Sequence, residues 1–332
     1  MGTIAKRPNG SFSAKVRRKG YPSQSRTFLT KKDAQRWVTE TEAAISRACF
    51  VDTTAARQTL LREAFIRYAT EVSPTKRGAS SERFRLAAMQ RDPIASYTLA
   101  TLKPAHVAEW RDSRLRSVSG STVNREMNLL HHVLEVARKE WGIGVPVNPV
   151  SQVRRPKNNP PRDRLLKDHE KSLLLALAAN NTRSSYLRSV LELAWETGMR
   201  QGELAALEIN QVDLGERVIS LRAGTTKSGA ARTVPLSSRA IDVLREIIGN
   251  RAVGSVWPNL TTEAIKRAFI RLRQRAGIPH VTFHDGRHAA TTHFVELGLS
   301  DMEVMSITGH GSTAMLKRYT HLRAKKLAEK LG

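Results

Sequence analysis

The stretch Pro146-Val147-Asn148-Pro149-Val150-Ser151-Gln152-Val153-Arg154-Arg155-Pro156-Lys157-Asn158-Asn159-Pro160-Pro161-Arg162-Asp163 divides the chain in two. Its prolines lack an N–H and fix φ, so they forbid regular structure and mark a linker over 146–163. Arg154, Arg155, Lys157 and Arg162 would let that linker track an anionic surface. A charge run is usually only a solvated face, but this one joins two basic blocks.

Upstream, residues 56–145 read as all-helical. Leu61, Ala64, Phe65 and Tyr68 share one face of a helix over 60–70, and a second helix covers 81–90. Pro104 sits at a first-turn position, opening a helix through Val107 and Trp110. Ser119 or Ser121 can cap a long helix carrying Val123, Met127, Leu130, Val133, Leu134 and Ala137, which Gly142 and Gly144 stop. Further upstream, residues 1–55 open with short segments between turn signals. Phe12, Ala14 and Val16 alternate with Ser13, Lys15 and Arg17 after Asn9-Gly10, which predicts a β-hairpin. A third strand fits 25–29. Thr30 then looks like the N-cap of a helix over 31–48 with Ala34, Trp37, Val38 and Ala44 inward. The open face of this sheet would carry Lys15, Arg17, Arg18, Lys19 and Arg26.

Downstream, residues 164–332 read as a mostly helical domain with a small antiparallel sheet on one side. Asp168 can cap a helix carrying residues 173–177, and 187–197 is strongly apolar at helical spacing. Strands fit 213–221 and 232–236 around a turn at 226–229, and further helices fit 238–248, 261–276 and 284–297. The expected fold class is therefore multidomain, mainly α with small β-sheets.

Composition limits the partners. The 332 residues hold 55 Lys+Arg against 30 Asp+Glu, a formal net charge of +25. Such an excess speaks for a polyanion, nucleic acid first; an architectural protein of ribosomal or chromatin type is the bland alternative. No segment approaches the ~18 consecutive apolar residues of a spanning helix, so a membrane is not an expected partner. Cys49 is the single cysteine, which excludes an internal disulfide and fits a reducing compartment. The basic N-terminus lacks the apolar stretch of a signal peptide, and Lys6 stands where a myristoylation signal wants Ser or Thr. A soluble, cytoplasmic protein is expected.

Familiar cofactor motifs are missing. His280, His284, His288 and His293 lie close enough to suggest zinc, yet no HExxH glutamate or cysteine ligand accompanies them. There is no phosphate loop ending in Lys-Ser/Thr and no GxSxG elbow. No metal and no cofactor is expected. What remains is a scatter of cations and histidines around a late tyrosine, which suits phosphoryl transfer without metal. Guanidinium forks match the nonbridging oxygens of a phosphorane. A lysine can protonate a leaving oxygen, and a histidine can assist proton transfer.

Four motifs then stand in order. Thr197-Gly198-Met199-Arg200-Gln201-Gly202-Glu203-Leu204 resembles the first signature box of the phage-integrase family of tyrosine site-specific recombinases. Thr225-Thr226-Lys227-Ser228-Gly229, followed by Arg232-Thr233-Val234-Pro235-Leu236, resembles that family's lysine-bearing β-hairpin. His284-Asp285-Gly286-Arg287-His288 is similar to its His-x-x-Arg box, and Gly309-His310 followed by Arg318-Tyr319-Thr320-His321 to its ending. Each motif alone is weak; together they are specific, and they span essentially the whole of 164–332. Residues 56–145 resemble the family's helical, SAM-like core-binding domain. Residues 1–55 match its small arm-type DNA-binding domain more loosely. The resemblance thus makes 164–332 an α+β catalytic domain.

It also implies roles. Arg200 and Arg287 clamp the scissile phosphate, His284 assists proton transfer, and His310 donates a hydrogen bond to the phosphate. Lys227 protonates the departing 5′-oxygen, and Tyr319 is the nucleophile. Glu203 would buttress Arg200, and His288 would be structural or, less in keeping with the pattern, a secondary contact. Taken singly, each has a plainer reading: a surface arginine, a solvated turn lysine, a satisfied core histidine, a core or interface tyrosine. Two positions depart from the pattern, since Gly286 and Thr308 stand where leucine is usual. The activity implied is strand cutting and rejoining through a 3′-phosphotyrosyl link, for integration or excision of a phage or mobile element. Double-stranded DNA is the implied partner, at core sites and, through Arg17 and Lys19, at arm sites. Arg125 on the long helix is a candidate DNA contact, though a solvated face explains it equally. A homotetramer on DNA, with DNA-bending or excision-factor helpers, is the implied assembly. The tail 321–332, with Leu322, Leu327 and Leu331, could dock on a neighbour or cap its own domain. A Xer-like resolvase, a type IB topoisomerase-like enzyme and a catalytically silent DNA-binding regulator are the rivals.

Overall fold

The structure, a computed structural model, describes residues 2–47, 50–160, 164–224 and 231–316. It forms two compact units, Met1–Pro161 and Arg162–Gly332. Mainly helical, it carries two small antiparallel sheets. Among the described residues, no helix is long and apolar enough to cross a membrane.

The first unit opens with β1 (Gly2–Lys6), β2 (Phe12–Val16) and β3 (Gln24–Phe28), antiparallel in that order. Asn9 closes the first turn by accepting from Ser11 N at 3.2 Å and Ser11 Oγ at 2.7 Å. Helix α1 (Lys31–Ser46) starts at Thr30, whose hydroxyl accepts from Asp33 N at 3.1 Å. Ala14 and Val16 meet Ala34, Val38 and Ile45 in a small core. Register corrects one expectation. Arg26 lies opposite Ala14, and directly opposed residues share a face, so Arg26 is on the helix side of the sheet, stacked over Phe28 at 5.3 Å. Lys15, opposite Thr3 and Ser25, does point to the open face.

Helices α2 (Thr54–Gln58), α3 (Leu61–Glu71), α4 (Ala79–Met89), α5 (Pro104–Leu115) and α6 (Gly120–Lys139) follow. Leu61, Phe65, Leu86, Trp110, Met127, Leu130 and Leu134 bury one another around Tyr68. The Tyr68 hydroxyl satisfies itself on His132 Nδ1 and Lys76 Nζ, and Lys76 pairs with Glu82 at 3.1 Å. Of the two candidate caps for α6, Ser119 is the one used.

Residues 146–160 are not a free tether. The prolines do exclude α-helix and strand, but Pro149–Gln152 makes a short 3-10 turn that plants Val150 and Val153 in the helical core. Asn124 Nδ2 donates to Pro156 O and Asn158 Oδ1, both at 2.8 Å, and Asn159 N donates to Ser121 Oγ at 2.9 Å. Arg111 holds Arg154 O at 2.8 Å. A proline-rich strip gives up N–H donors but keeps its carbonyls, and α5 and α6 supply the donors.

The second unit contains α7 (Asp168–Ala179), α8 (Tyr186–Thr197), α9 (Gln201–Ala205), β4 (Val212–Asp213), β5 (Val218–Leu221), β6 (Arg232–Pro235), α10 (Ser238–Ile248), α11 (Thr262–Arg275), α12 (Phe283–Glu296) and α13 (Asp301–Thr308). The cap of α7 is Lys167, and Asp168 is already helical, facing Lys171 at 3.0 Å. The strand expected over 213–221 is broken by a tight turn. Asp213 Oδ1 accepts from Gly215 N and Glu216 N, and Arg217 reverses the chain at φ 58°. Helix α13 had no counterpart in the sequence reading. Helix α8 is central: Val190, Leu193 and Ala194 pack toward the sheet, α10 and α12, while Leu187 and Leu191 pack toward Leu174 and Phe269. The turn at 226–229 and the tail 321–332 lie outside the described residues.

Candidate active site

Two helix ends build the site. Helix α8 ends at Gly198 and α13 at Gly309, both left-handed, with φ 62° and 70°. A helix C-terminus leaves carbonyls without N–H partners and carries partial negative charge. Here guanidinium groups take up those carbonyls. Arg287 reaches Gly198 O through Nη1 and Thr308 O through Nη2, the latter at 2.6 Å. Arg200 Nη2 donates to Gly309 O at 2.7 Å. Arg232 Nε donates to Ile307 O at 2.9 Å. A Cβ at Gly309 would stand 3.1 Å from Arg232 Nη1 and 3.2 Å from Arg200 Nη1, so glycine suits the positive φ and spares both guanidinium groups a shift of a few tenths of an ångström.

Glu203 ties the arginines together. Arg200 is the N-cap of α9, and Glu203, three residues on, accepts its backbone N–H at 2.8 Å. The same carboxylate accepts from Arg200 Nη1 at 3.0 Å and is bridged by Arg232 through Nη1 and Nη2 at 2.9 and 2.6 Å. Burial alone would raise the Glu203 pKa. The hydrogen bonds from Arg232 and Arg200 outweigh that and hold it below the ordinary value.

Helix α12 supplies the third side. Asp285 caps it by accepting from Thr282 N at 2.8 Å, which orients the first turn. Arg287 is buried, whereas His284 is exposed and meets His288 edge to face at 4.7 Å. Gly286 is explained by packing: a Cβ there would lie 2.3 Å from Trp195 Nε1. The indole of α8 occupies the room a leucine would need. His310 follows Gly309, and its Nδ1 contacts Thr308 Oγ1 at 2.6 Å. Burial, then the charges of Arg287 and Arg200, then His288 and His284, push the His310 pKa down to about 3.

The structure thus brings Arg200, Arg287 and His310 onto one strip of backbone, 307–310, with His284 and His288 beside it. Lys227 and Tyr319 lie outside the described residues. Arg17, Lys19 and Arg125 belong to the first unit, each exposed. No site role was expected of Arg232, which heads β6 with a side chain only 8% exposed. Nor was a partner expected for Thr308. Several guanidinium groups held rigidly beside a histidine suit a tetrahedral anion, and above all the extra charge of a phosphorane.

A sequence model of the phage integrase family matches residues 164–326. A shufflon-specific DNA recombinase of Escherichia coli is 38% identical over 284 residues, covering 83% of this chain and 72% of that protein. Among solved structures, the integrase of transposon Tn1549 in complex with transposon right end DNA superposes with a TM-score of 0.66 at 18% identity, over 82% of this chain and 99% of that one. A lambda integrase tetramer bound to a Holliday junction gives 0.63 at 17% identity, over 93% and 95%.

Proposed function

The chain belongs to the phage integrase family, and from that premise we propose that it is a site-specific DNA recombinase working through a covalent bond to Tyr319. The observation that carries this reading is the strip 307–310, on which Arg200, Arg287 and His310 converge. The Tyr319 hydroxyl attacks a DNA phosphorus. A P–O bond to tyrosine forms as the P–O5′ bond breaks; the phenolic proton passes to His284, and Lys227 gives the leaving 5′-oxygen its proton. The 5′-hydroxyl of a partner strand then reverses the step, expelling tyrosine. Bond energy is kept in the ester, so neither ATP nor metal enters the balance. Arg200 and Arg287 hold the nonbridging oxygens in both halves, and His284 assists the proton transfers. Arg232 touches no substrate in this scheme; it positions Glu203 and, through it, Arg200.

Double-stranded DNA is the partner, with phosphate contacts giving most of the affinity and a steep salt dependence. Residues 56–145 bind core sites, Arg125 among the contacts, and 1–55 bind arm sites through Arg17 and Lys19. A homotetramer on DNA, assisted by bending or excision factors, works in the cytoplasm on a phage or mobile element. The test is an adduct trap: wild type and Tyr319→Phe with nicked DNA from the element's ends, with chelator and without ATP, run on a denaturing gel. A protein–DNA band in wild type only is expected. A band of equal yield from Tyr319→Phe would overturn the assignment. No band from wild type on the correct DNA would favour the silent DNA-binding scaffold.

A further inference from the structure

Thr308 departs from the family pattern, and its hydroxyl is spoken for twice. The side chain is fully buried. Its Oγ1 lies 2.5 Å from Val304 O and 2.6 Å from His310 Nδ1. A hydroxyl has one proton, and a carbonyl has none to give. If the proton went to Nδ1, Oγ1 and Val304 O would face each other lone pair to lone pair in a site without solvent. If it goes to Val304 O, Nδ1 must carry its own proton and donate it to Oγ1, and both contacts become hydrogen bonds. Only the second arrangement satisfies every group.

We infer that Thr308 is a positioning residue: its hydroxyl holds His310 as the Nδ1–H tautomer, so that Nε2 can donate to a phosphate only after His310 gains a proton. The inference rests on the recombinase reading for the identity of that phosphate, but not for the tautomer. In the free protein the proton is absent at neutral pH, because burial and then Arg287, Arg200, His288 and His284 hold the pKa at about 3. The groups facing His310 are guanidinium groups and imidazoles: Arg200 at the start of α9, and Arg287, His284 and His288 on α12. Arg232 of β6 and the Glu203 carboxylate that neutralises it stand behind Arg200. An arriving phosphodiester offsets that positive field and raises the pKa, so engagement of the phosphate takes up a proton. A leucine in place of Thr308 would leave Nδ1 without this acceptor, and the neutral Nε2–H tautomer could then donate with no proton uptake.

Nitrogen-15 NMR of the histidine rings in the full-length protein without DNA reads the tautomer directly, with the His310 signals identified by their loss in His310→Gln. Wild type and Thr308→Ser are expected to show the proton on Nδ1, and the near-isosteric Thr308→Val to move it to Nε2. A wild-type spectrum with the proton on Nε2 would overturn the inference, as would a Thr308→Val spectrum unchanged from wild type. Adduct formation against pH is the second readout. For wild type and Thr308→Ser the rate should fall by up to about tenfold per pH unit above its midpoint, while Thr308→Val stays flat over that range. Parallel profiles for all three would also overturn it. Absence of adduct from every protein would instead overturn the recombinase reading, while the tautomer stands or falls on the spectrum.

Discussion

Replacing Glu203 by glutamine tests the keystone of the site. The change keeps shape and removes charge. Arg232 then faces an amide with a side chain only 8% exposed, against 2% for Glu203, so water cannot replace what is lost. Breaking one side of such a buried pair costs about 3–5 kcal/mol. The Arg200 side chain is 21% exposed and can turn toward solvent, so its bond adds under about 1 kcal/mol. Glutamine retains one oxygen for the Arg200 backbone N–H or for a guanidinium, which trims the total to about 3 kcal/mol. For a unit of this size that corresponds to a fall in Tm of roughly 6–12 °C. The pH dependence has a definite sign. The folded carboxyl titrates below the usual 4.5, so its contribution is full above that value and is lost as pH falls through the lower, folded pKa. Urea unfolding of wild type and Glu203→Gln should therefore differ most near neutrality, with the gap closing in acid. A loss under about 1 kcal/mol at pH 7, or a gap that widens on acidification, would refute the bridging role.

Other sites make simpler predictions. Gly286→Ala forces a methyl group against Trp195 and should cost about 1–3 kcal/mol in urea unfolding; a neutral result would mean the indole has room to move. Ser119→Ala removes the α6 cap that accepts from Thr122 N and should cost about 1 kcal/mol, whereas Ser121→Ala, which leaves the cap intact, should cost less. Tyr68→Phe strips the shared partner of Lys76 and His132 and should cost about 1–3 kcal/mol, read by thermal melting. Arg287→Ala should slow adduct formation by about 10²–10³-fold while binding of duplex DNA persists; adduct at the wild-type rate would remove Arg287 from the clamp.

Local chemistry was legible in the sequence, and distant pairing was not. Helix α10 has the expected bounds because Ser237 caps it and its apolar positions repeat steeply. Thr30 as a cap, Pro104 as a first-turn proline and Ser119 as one of two candidate caps were readable because helix-start signals act within about three residues. Helix α13 escaped notice because it is short and weakly amphipathic, with Met302 turned outward, although Ser300 and Glu303 form a capping box. The break between β4 and β5 falls at Gly215-Glu216-Arg217, where the apolar alternation lapses. The motifs single out Arg200, Arg287 and His310 as candidates, and the structure shows what holds their side chains. Arg232 could not be assigned from sequence, since its carboxylate partner lies 29 positions away and meets it only after β6 pairs with β5. The docking of 146–160 depends likewise on Asn124 and Ser121, whose relevance appears only when the strip lies along α6.

Main-chain carbonyls have no side chain to lose. Ile307, Thr308, Gly309 and Gly198 hold the arginines through peptide oxygens, so most substitutions at or around those positions leave the acceptors in place. On the acceptor side of these bonds, mutational fragility thereby sits in the backbone turns. Drift can rewrite the residues flanking the site with little effect, while a single methyl at Gly309 would disturb two arginines at once. Among diverging descendants of this chain, the two glycines should therefore outlast neighbours that lend the arginines only a peptide oxygen.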